Sequence, residues 1–358
     1  MADDAGHLRD IANLRDMSER MTGDPENQEQ LAVRRKRPTW LRTVAVVACW
    51  IVVLASFGFA VVRVFGLERT WTGHTVIAFT PYVTALSIVP LALAAILRRW
   101  RAAGAAFVAS VALVCVLIPR MVGGADPVRG PELHVMGTNM RVGGADPDRI
   151  VALAHDHQVD VLAVQEYTPE AESALAAAGL DGLLPYAEKH PVAGVGGSAI
   201  YSRYPLTDHG YTPFPGHFGQ AYATVLVPGA APILVTSIHP CAPSAPSRIT
   251  PWAQGLEREP AASPHGPVRL LIGDFNSTLD NAQLRDIIDT GYVDAAAKLG
   301  DGLTTTWPYY GPKAGRVPPI ALDHVLADPR IGISSFGTAR VAKTDHKSIF
   351  ATLTLPRA

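Results

Sequence analysis

Three uncharged, almost wholly apolar runs constrain this chain more than any other feature: Thr43 to Val62, Thr75 to Leu97 and Ala102 to Pro119. Each is long enough, as a helix, to cross a hydrocarbon layer about 30 Å thick. Buried helices of a soluble bundle are the alternative, but those carry a polar stripe and these runs do not. The two prolines of the second run are tolerated where neighbouring helices re-satisfy the freed backbone groups. The alanines and glycine of the third let helices approach closely. The runs also explain a mean hydropathy of +0.15 in a chain with only 18% charged residues.

Basic flanks set the expected orientation. Arg34, Arg35, Lys36, Arg37 and Arg42 precede the first run, and Arg98, Arg99 and Arg101 separate the second from the third. The intervening loop carries only Arg63 and Arg69 around Glu68, so the N-terminus is expected in the cytoplasm and everything after Pro119 outside the cell membrane. A cleaved signal peptide fits poorly, because the first run starts late and is long. The expected organisation is a partly disordered tail over 1–39 with a short amphipathic helix near His7 to Met21, three transmembrane helices over 40–120, a Gly/Pro-rich linker over 121–131, and an extracytoplasmic domain over 132–358.

With 31 basic and 32 acidic residues, bulk electrostatics does not favour a nucleic-acid partner. Three cysteines make no disulfide framework; Cys49 and Cys115 lie in apolar runs, and Cys241 reads as a structural thiol.

Beyond Glu132, short apolar strands alternate with turns and a few helices, which suggests an α/β domain of two sheets packed face to face. Strands are expected over His134 to Met136, Val159 to Gln165, Ser198 to Ser202, Ala223 to Val227, Ile233 to Ile238, Val268 to Ile272, Ala321 to Leu326 and Ser348 to Leu355. Polar residues collect at their ends: Asn139, Gln165-Glu166, His239-Pro240, Gly273-Asp274-Phe275-Asn276, Asp323-His324 and Thr344-Asp345-His346. Carboxylates projected over one sheet edge converge and suit Mg²⁺, a hard cation held by a few carboxylates plus water and substrate phosphate. Singly, each has a plainer reading. Asn139 is a turn residue, Glu166 a helix-start residue, His239 a loop histidine, and Asn276 or Ser277 an N-cap for the next helix. Asp323 resists such a reading, because an unpaired carboxylate in an apolar strand is costly.

In order and spacing, strand-Asn, strand-Gln-Glu, GGSAIYSRYPL, strand-His-Pro, strand-GDFN, Thr306-Trp307, Asp-His-Val and Thr-Asp-His resemble the motif series of the endonuclease/exonuclease/phosphatase (DNase I-like) superfamily across the whole outer domain. The resemblance implies a four-layer α/β sandwich (DNase I-like), here preceded by the three transmembrane helices expected from the apolar runs. It also implies that Asn139, Glu166 and Asp345 lie at a catalytic Mg²⁺, which Mn²⁺ could replace. Asp274 would orient or deprotonate the attacking water, Asn276 and His239 would contact the phosphate, and His346, oriented by Asp323, would sit at the scissile phosphate. Thr344 stands where serine is usual, and no second asparagine lies two positions before Asn139. The membrane architecture resembles VanJ-like proteins linked to glycopeptide-antibiotic resistance, which implies a phosphorylated lipid such as undecaprenyl pyrophosphate as substrate.

Three function classes follow: a metal-dependent hydrolase of lipid-linked phosphates, a membrane-anchored nuclease or sphingomyelinase-like phosphodiesterase, and a catalytically silent binding protein. Absence of a basic stripe counts against the nuclease, and retention of costly carboxylates against the silent protein. The segments Thr212 to Gln220 and Cys241 to Glu259, with Phe214, Phe218 and Trp252, are expected as loops that either dip into the membrane interface or serve as ordinary anchors. Oligomeric state is not legible.

Overall fold

The computed structural model describes residues 39–358. The expected tail helix and the basic residues from Arg34 to Arg37 lie outside that range.

Two six-stranded sheets form the larger part. The first runs β11-β12-β1-β2-β4-β3 and the second β5-β6-β7-β8-β10-β9. Their strands are β1 (Glu132–Asn139), β2 (Val161–Gln165), β3 (Tyr186–His190), β4 (Ser198–Ser202), β5 (Leu206–Phe214), β6 (Phe218–Val225), β7 (Ile233–Ile238), β8 (Val268–Asp274), β9 (Val293–Asp294), β10 (Asp323–Ala327), β11 (Gly332–Ala339) and β12 (Ser348–Thr354).

Side-chain alternation in the central strands explains the layering. Val161 and Ala163 of β2, Leu270 and Ile272 of β8 and Val325 of β10 point into the core between the sheets. Their neighbours Leu162 and Val164, and Leu271 and Leu326, point outward into two further apolar clusters. These strands are therefore apolar on both faces, which is why they read as compact apolar runs. Helices Pro147–Asp156 and Pro169–Ala177 cover the first sheet, and Ile249–Glu257 and Ala282–Asp289 the second. The result is the four-layer sandwich expected.

Strands β3, β5, β9 and β11 lie at or next to sheet edges and escaped the sequence reading, because half-exposed strands with polar or glycine residues lack its compact apolar signature. Thr212 to Gln220 is not a loop but the tip of the β5–β6 hairpin, with Phe214 opposite Phe218. Trp252, fully buried, is a core anchor and not an interfacial residue. Cys241 is buried too, its Sγ 3.8 Å from an Arg248 nitrogen.

At the N-terminal end, α1 (Thr39–Phe65) and α5 (Trp100–Leu117) are the long apolar helices; Trp40–Phe65 and Trp100–Arg120 are each long and apolar enough to cross a membrane. Small residues Ala94, Ala102, Ala103 and Ala106 pack against Cys49 and Val53 of α1, as close helix approach requires. Leu54, Phe57, Ile96 and Phe107 stay exposed, as lipid-facing side chains do. The expected helix over 75–97 is not straight. It is divided into α2 (Trp71–Ile77), α3 (Thr80–Leu86) and α4 (Ile88–Ile96), with a 67° bend at the break after α2, so it makes a third candidate only as a bent span.

That bend lays α2 on the two-sheet domain, and a buried ion triad fixes the arrangement. Arg63, near the end of α1, places Nε 2.6 Å from Asp280, and Arg120, following α5, places its guanidinium 2.8 Å from the same carboxylate. Glu68 accepts the Ala282 amide at 2.7 Å, so it caps a helix whose own N-cap, Asn281, makes no side-chain cap bond. Asn281 instead donates to the His74 carbonyl at 3.1 Å. Arg63 and Glu68, read from sequence as sparse loop charges, are thus docking groups.

Two outcomes test this packing. Asp280→Ala leaves two guanidiniums buried without their anion, at a cost of about 3–5 kcal/mol; thermal unfolding of the full chain in detergent should show a Tm lower by roughly 5–10 °C. An unchanged Tm would contradict the docking role. Burial, working against the hydrogen bond from Gln220, pushes the Glu259 carboxyl up to about 8 from its ordinary 4.5. A carboxyl raised on folding contributes stability that is full below 4.5 and lost as pH rises through 8. The Tm of the native chain should therefore fall between about pH 4.5 and 8, and level off above, relative to that of Glu259→Gln.

Candidate active site

The site forms because several strands meet the same edge. Parallel pairing of β1 with β2 puts Asn139 opposite Gln165, and parallel pairing of β7 with β8 puts Ile238 opposite Gly273. Glu166 and His239 therefore emerge just past two neighbouring strand ends. Antiparallel pairing of β10 with β8 sets Asp323, its first residue, opposite Asp274. β12 is antiparallel to β1, so Thr344-Asp345-His346 arrives at this edge just before the strand begins.

Local geometry at the edge is demanding. Glu166 and Asn276 take left-handed backbone with φ of 56° and 48°, which costs energy for residues with side chains. Gly273 has φ 144°, and a Cβ there would lie 2.4 Å from the Ile238 carbonyl. Only glycine lets the end of β8 come this close to β7.

The catalytic candidates converge. Asn139 Nδ2 donates to Asp274 Oδ2 at 3.0 Å and Glu166 Oε1 at 3.3 Å, while its Oδ1 accepts the Arg141 amide at 2.8 Å. His239 Nε2 stands 3.7 Å from both Glu166 Oε1 and Asp274 Oδ2. His346 Nε2 lies 3.6 Å from Asp274 Oδ2, and its Nδ1 faces Asp323 Oδ2 at 3.0 Å. Asp274 Oδ1 accepts the Asn276 amide at 2.8 Å. Asp345 stands slightly apart: one oxygen accepts the Trp307 indole N–H at 3.0 Å and the other lies 3.6 Å from Arg141 Nε.

Several motif residues serve the scaffold. Strand alternation turns His324 away from Asp323 into a buried bond with Asp294 at 2.9 Å. Thr306 Oγ1 accepts the amides of Leu322 and Asp323, which fixes the start of β10. Thr344 donates to the Asn139 carbonyl at 2.9 Å and accepts the His346 amide at 3.2 Å, so threonine provides a hydroxyl tie at this position. Asn276 caps no helix, since the next one starts at Ala282.

Electrostatics divides the groups. Burial raises the Glu166 and Asp274 carboxyls above their usual range despite the histidines beside them. Burial lowers the His239 imidazole. For His346 burial also favours the neutral ring, but the charges of Asp323 and Asp274 and the Asp323 hydrogen bond outweigh it and hold the group up to about 10. Among the described residues no lysine or arginine pairs with Glu166 or Asp274, which leaves concentrated negative charge that a cation would compensate. Asp274, Asp323 and His346 offer ligand atoms within 4.8 Å of one another. Because Asp323 already engages His346 Nδ1 and Asn139 presents its NH₂ group, the carboxylates of Glu166 and Asp274 are the most directly available oxygen donors. This donor chemistry fits a hard divalent cation.

Glu166, His239, Asp274, Asn276, Asp345 and His346 line a cleft of about 530 Å³ that also contains Arg141, Trp307 and Lys313, with Trp71 and Phe79 from the membrane-helix segment. Sequence reading noted Trp307 only as part of a motif and overlooked Arg141 and Lys313. For Arg141 the available signal was a basic residue two positions past the strand-end asparagine.

A search of curated protein sequences gives no match. Among solved structures, truncated Caenorhabditis elegans TDP2 superposes with a TM-score of 0.52 at 16% identity, covering 64% of this chain and 100% of that one. A second C. elegans TDP2 structure gives 0.51 at 17% identity, over 64% and 77%. A protein from Beutenbergia cavernae DSM 12333 described as an endonuclease/exonuclease/phosphatase gives 0.49 at 19% identity, over 63% and 72%. The two TDP2 structures show the shared fold. The sequence pattern of the Endonuclease/Exonuclease/phosphatase family matches residues 136–346, spanning every strand-end motif described above, and the chain therefore belongs to that family of phosphate-ester hydrolases.

Proposed function

We propose that this chain is a divalent-metal-dependent phosphohydrolase, anchored by three membrane crossings, that cleaves a lipid-linked phosphate or pyrophosphate at the outer membrane face. The observation that carries this reading is the pairing of two unlike groups 3.6 Å apart: an imidazole, His346, held protonated by Asp323 at 3.0 Å on its other nitrogen, and the Asp274 carboxylate that faces it in the cleft. Such a pairing assigns roles. Protonated His346, held in one orientation by Asp323, stabilises charge on the phosphoryl oxygens and serves as proton donor. Asp274 aligns a water and takes its proton as the new P–O bond forms and the bond to the leaving oxygen breaks. Asn276 and His239 stand at the cleft to position phosphoryl oxygens. Glu166 would hold Mg²⁺ or Mn²⁺, with Asn139 and Asp345 beside it, which leaves Asp274 to take the water's proton; a bound cation would supply Lewis-acid neutralisation of the phosphoryl charge. Positioning and charge neutralisation are what phosphoryl transfer chiefly requires.

Helix direction supports this membrane placement. α1 runs from Arg42 to Arg63 at the catalytic domain, and α5 runs from the Arg98, Arg99 and Arg101 cluster back to Arg120 at the same domain. A bent middle span completes three crossings, with the basic ends inside and the enzyme outside.

Purified full-length chain with Mg²⁺ or EDTA, offered undecaprenyl pyrophosphate, sphingomyelin and plasmid DNA, tests this reading. Phosphate release from the pyrophosphate, abolished by EDTA, is expected. Asp274→Ala and His346→Ala should each lower kcat by roughly 10²–10⁴-fold. DNA cleavage without lipid-phosphate release would favour the nuclease. Full hydrolysis by either variant would sink the site assignment.

A further inference from the structure

We infer that segment 71–79, together with Val317, Ile320 and Leu322, forms a subsite for the apolar chain attached to the substrate's phosphate. The membrane-helix segment is then a specificity element of the active site as well as an anchor. This rests on the phosphohydrolase reading above and extends it to the part of the substrate that does not react.

The cleft is lined by two chemically unlike sets of residues: Glu166, His239, Asp274 and His346, and Phe79, Val317 and Ile320. Trp307, packed against the apolar set, has its ring centroid 6.3 Å from that of His346. The apolar set is built across the two parts of the chain: Ala78, Ile320 and Leu322 form a buried cluster, with Phe79 and Trp307 packed against it. Polar contacts hold the segment against the enzyme. Trp71 Nε1 donates to the Pro243 carbonyl at 2.8 Å, and the His74 ring meets Trp252 edge-on with centroids 4.8 Å apart. Tyr82, one turn into the next helix, donates to the Pro319 carbonyl at 2.7 Å.

The apolar wall also has a direction. From Phe79 the chain passes directly into Thr80–Leu86 and Ile88–Ile96, whose Leu86, Ile88, Val89 and Ile96 are exposed on the outside of the helical bundle. Apolar side chains therefore stand both beside the catalytic carboxylates and, further along the same segment, on the surface proposed to face lipid. A phosphate seated at His346 would have its first chain carbons against Phe79 and Val317, and the rest could follow that segment into the bilayer. A small polar ester gains nothing from such a wall, whereas burial of each methylene improves binding roughly fourfold.

A chain-length series tests the subsite, using the full-length enzyme in detergent with Mg²⁺ and dimethylallyl, geranyl and farnesyl diphosphates below their micellar concentrations. We expect kcat/KM for phosphate release to rise at least about tenfold from the C5 to the C15 ester. Thr75→Trp, at an exposed position lining the cleft, and Val317→Asp, at a half-buried one, should each bring the C15-to-C5 ratio toward one. Because the readout is a ratio within one preparation, partial misfolding of a variant does not imitate the effect. Equal kcat/KM across the native series, or a ratio that survives both substitutions, overturns the subsite while the hydrolase reading stands. Preference for a nucleoside 5′-diphosphate over the C15 ester overturns it in favour of base stacking on the aromatic wall. Absence of phosphate release from every ester removes the hydrolase reading, and the subsite with it.

Discussion

A single buried carboxylate ties the membrane helices to the catalytic domain. Asp280 receives Arg63 from the end of one long helix and Arg120 from the end of the other, with all three side chains almost inaccessible to water. Desolvating three charges is expensive, and a well-packed apolar contact would often be as stable. What the triad supplies is register. An apolar patch can slide, whereas two guanidiniums converging on one carboxylate fix both helix ends relative to the loop between β8 and Ala282. The Glu68 cap and the Asn281 bond to the His74 carbonyl complete that register. With both helix ends fixed, the segment between α1 and α3 lies along the catalytic cleft, and a cavity that would otherwise be open on that side gains an apolar wall.

The catalytic edge depends on the same loop from its other end. Asp274 closes β8, Asn276 follows in left-handed backbone, and Asp280 comes six residues after Asp274. One short stretch thus carries the proposed base, a phosphate contact and the docking anion. Strain at Glu166 and Asn276 is held by the strand pairing on either side, which is how rigid sheets keep unfavourable backbone in place. In the site, concentrated acidic charge raises His346 while burial raises Glu166 and Asp274. A cation between the carboxylates would relieve the second effect and weaken the first, so metal binding and the protonation of His346 are coupled.

Much of this was legible from sequence because strand ends and chemistry coincide. Central strands such as VDVLAVQ and VRLLIG are apolar on both faces and end abruptly in carboxylates, so Glu166 and Asp274 announce themselves, and Asp323 does so as a carboxylate within an apolar run. Edge strands such as β11, with half-exposed serine, glycine and threonine, lack the pattern and were missed. The role of Thr212 to Gln220 was misread because Pro213, Pro215 and Gly216 signal a turn but not the strands on either side of it. Least legible was everything that depends on contact between the two parts of the chain. Nothing local distinguishes Arg63 from an ordinary membrane-flanking arginine, or Asp280 from a surface aspartate following a threonine and a leucine. A bend in an uninterrupted apolar run likewise has no hydropathy signature: Thr75 to Leu97 reads as one span although its first residues belong to the enzyme's cleft.

Hydrogen exchange of the full-length chain in nanodiscs, comparing the native protein with Asp280→Asn, tests most directly whether helix docking builds the cleft. Slow exchange over residues 71–79 is expected in the native chain, with a marked rise in Asp280→Asn, while the centres of α1 and α5 stay protected in both. Equal exchange over 71–79 in the two proteins, or fast exchange there in the native chain, would show that the segment is not held against the catalytic domain by this triad.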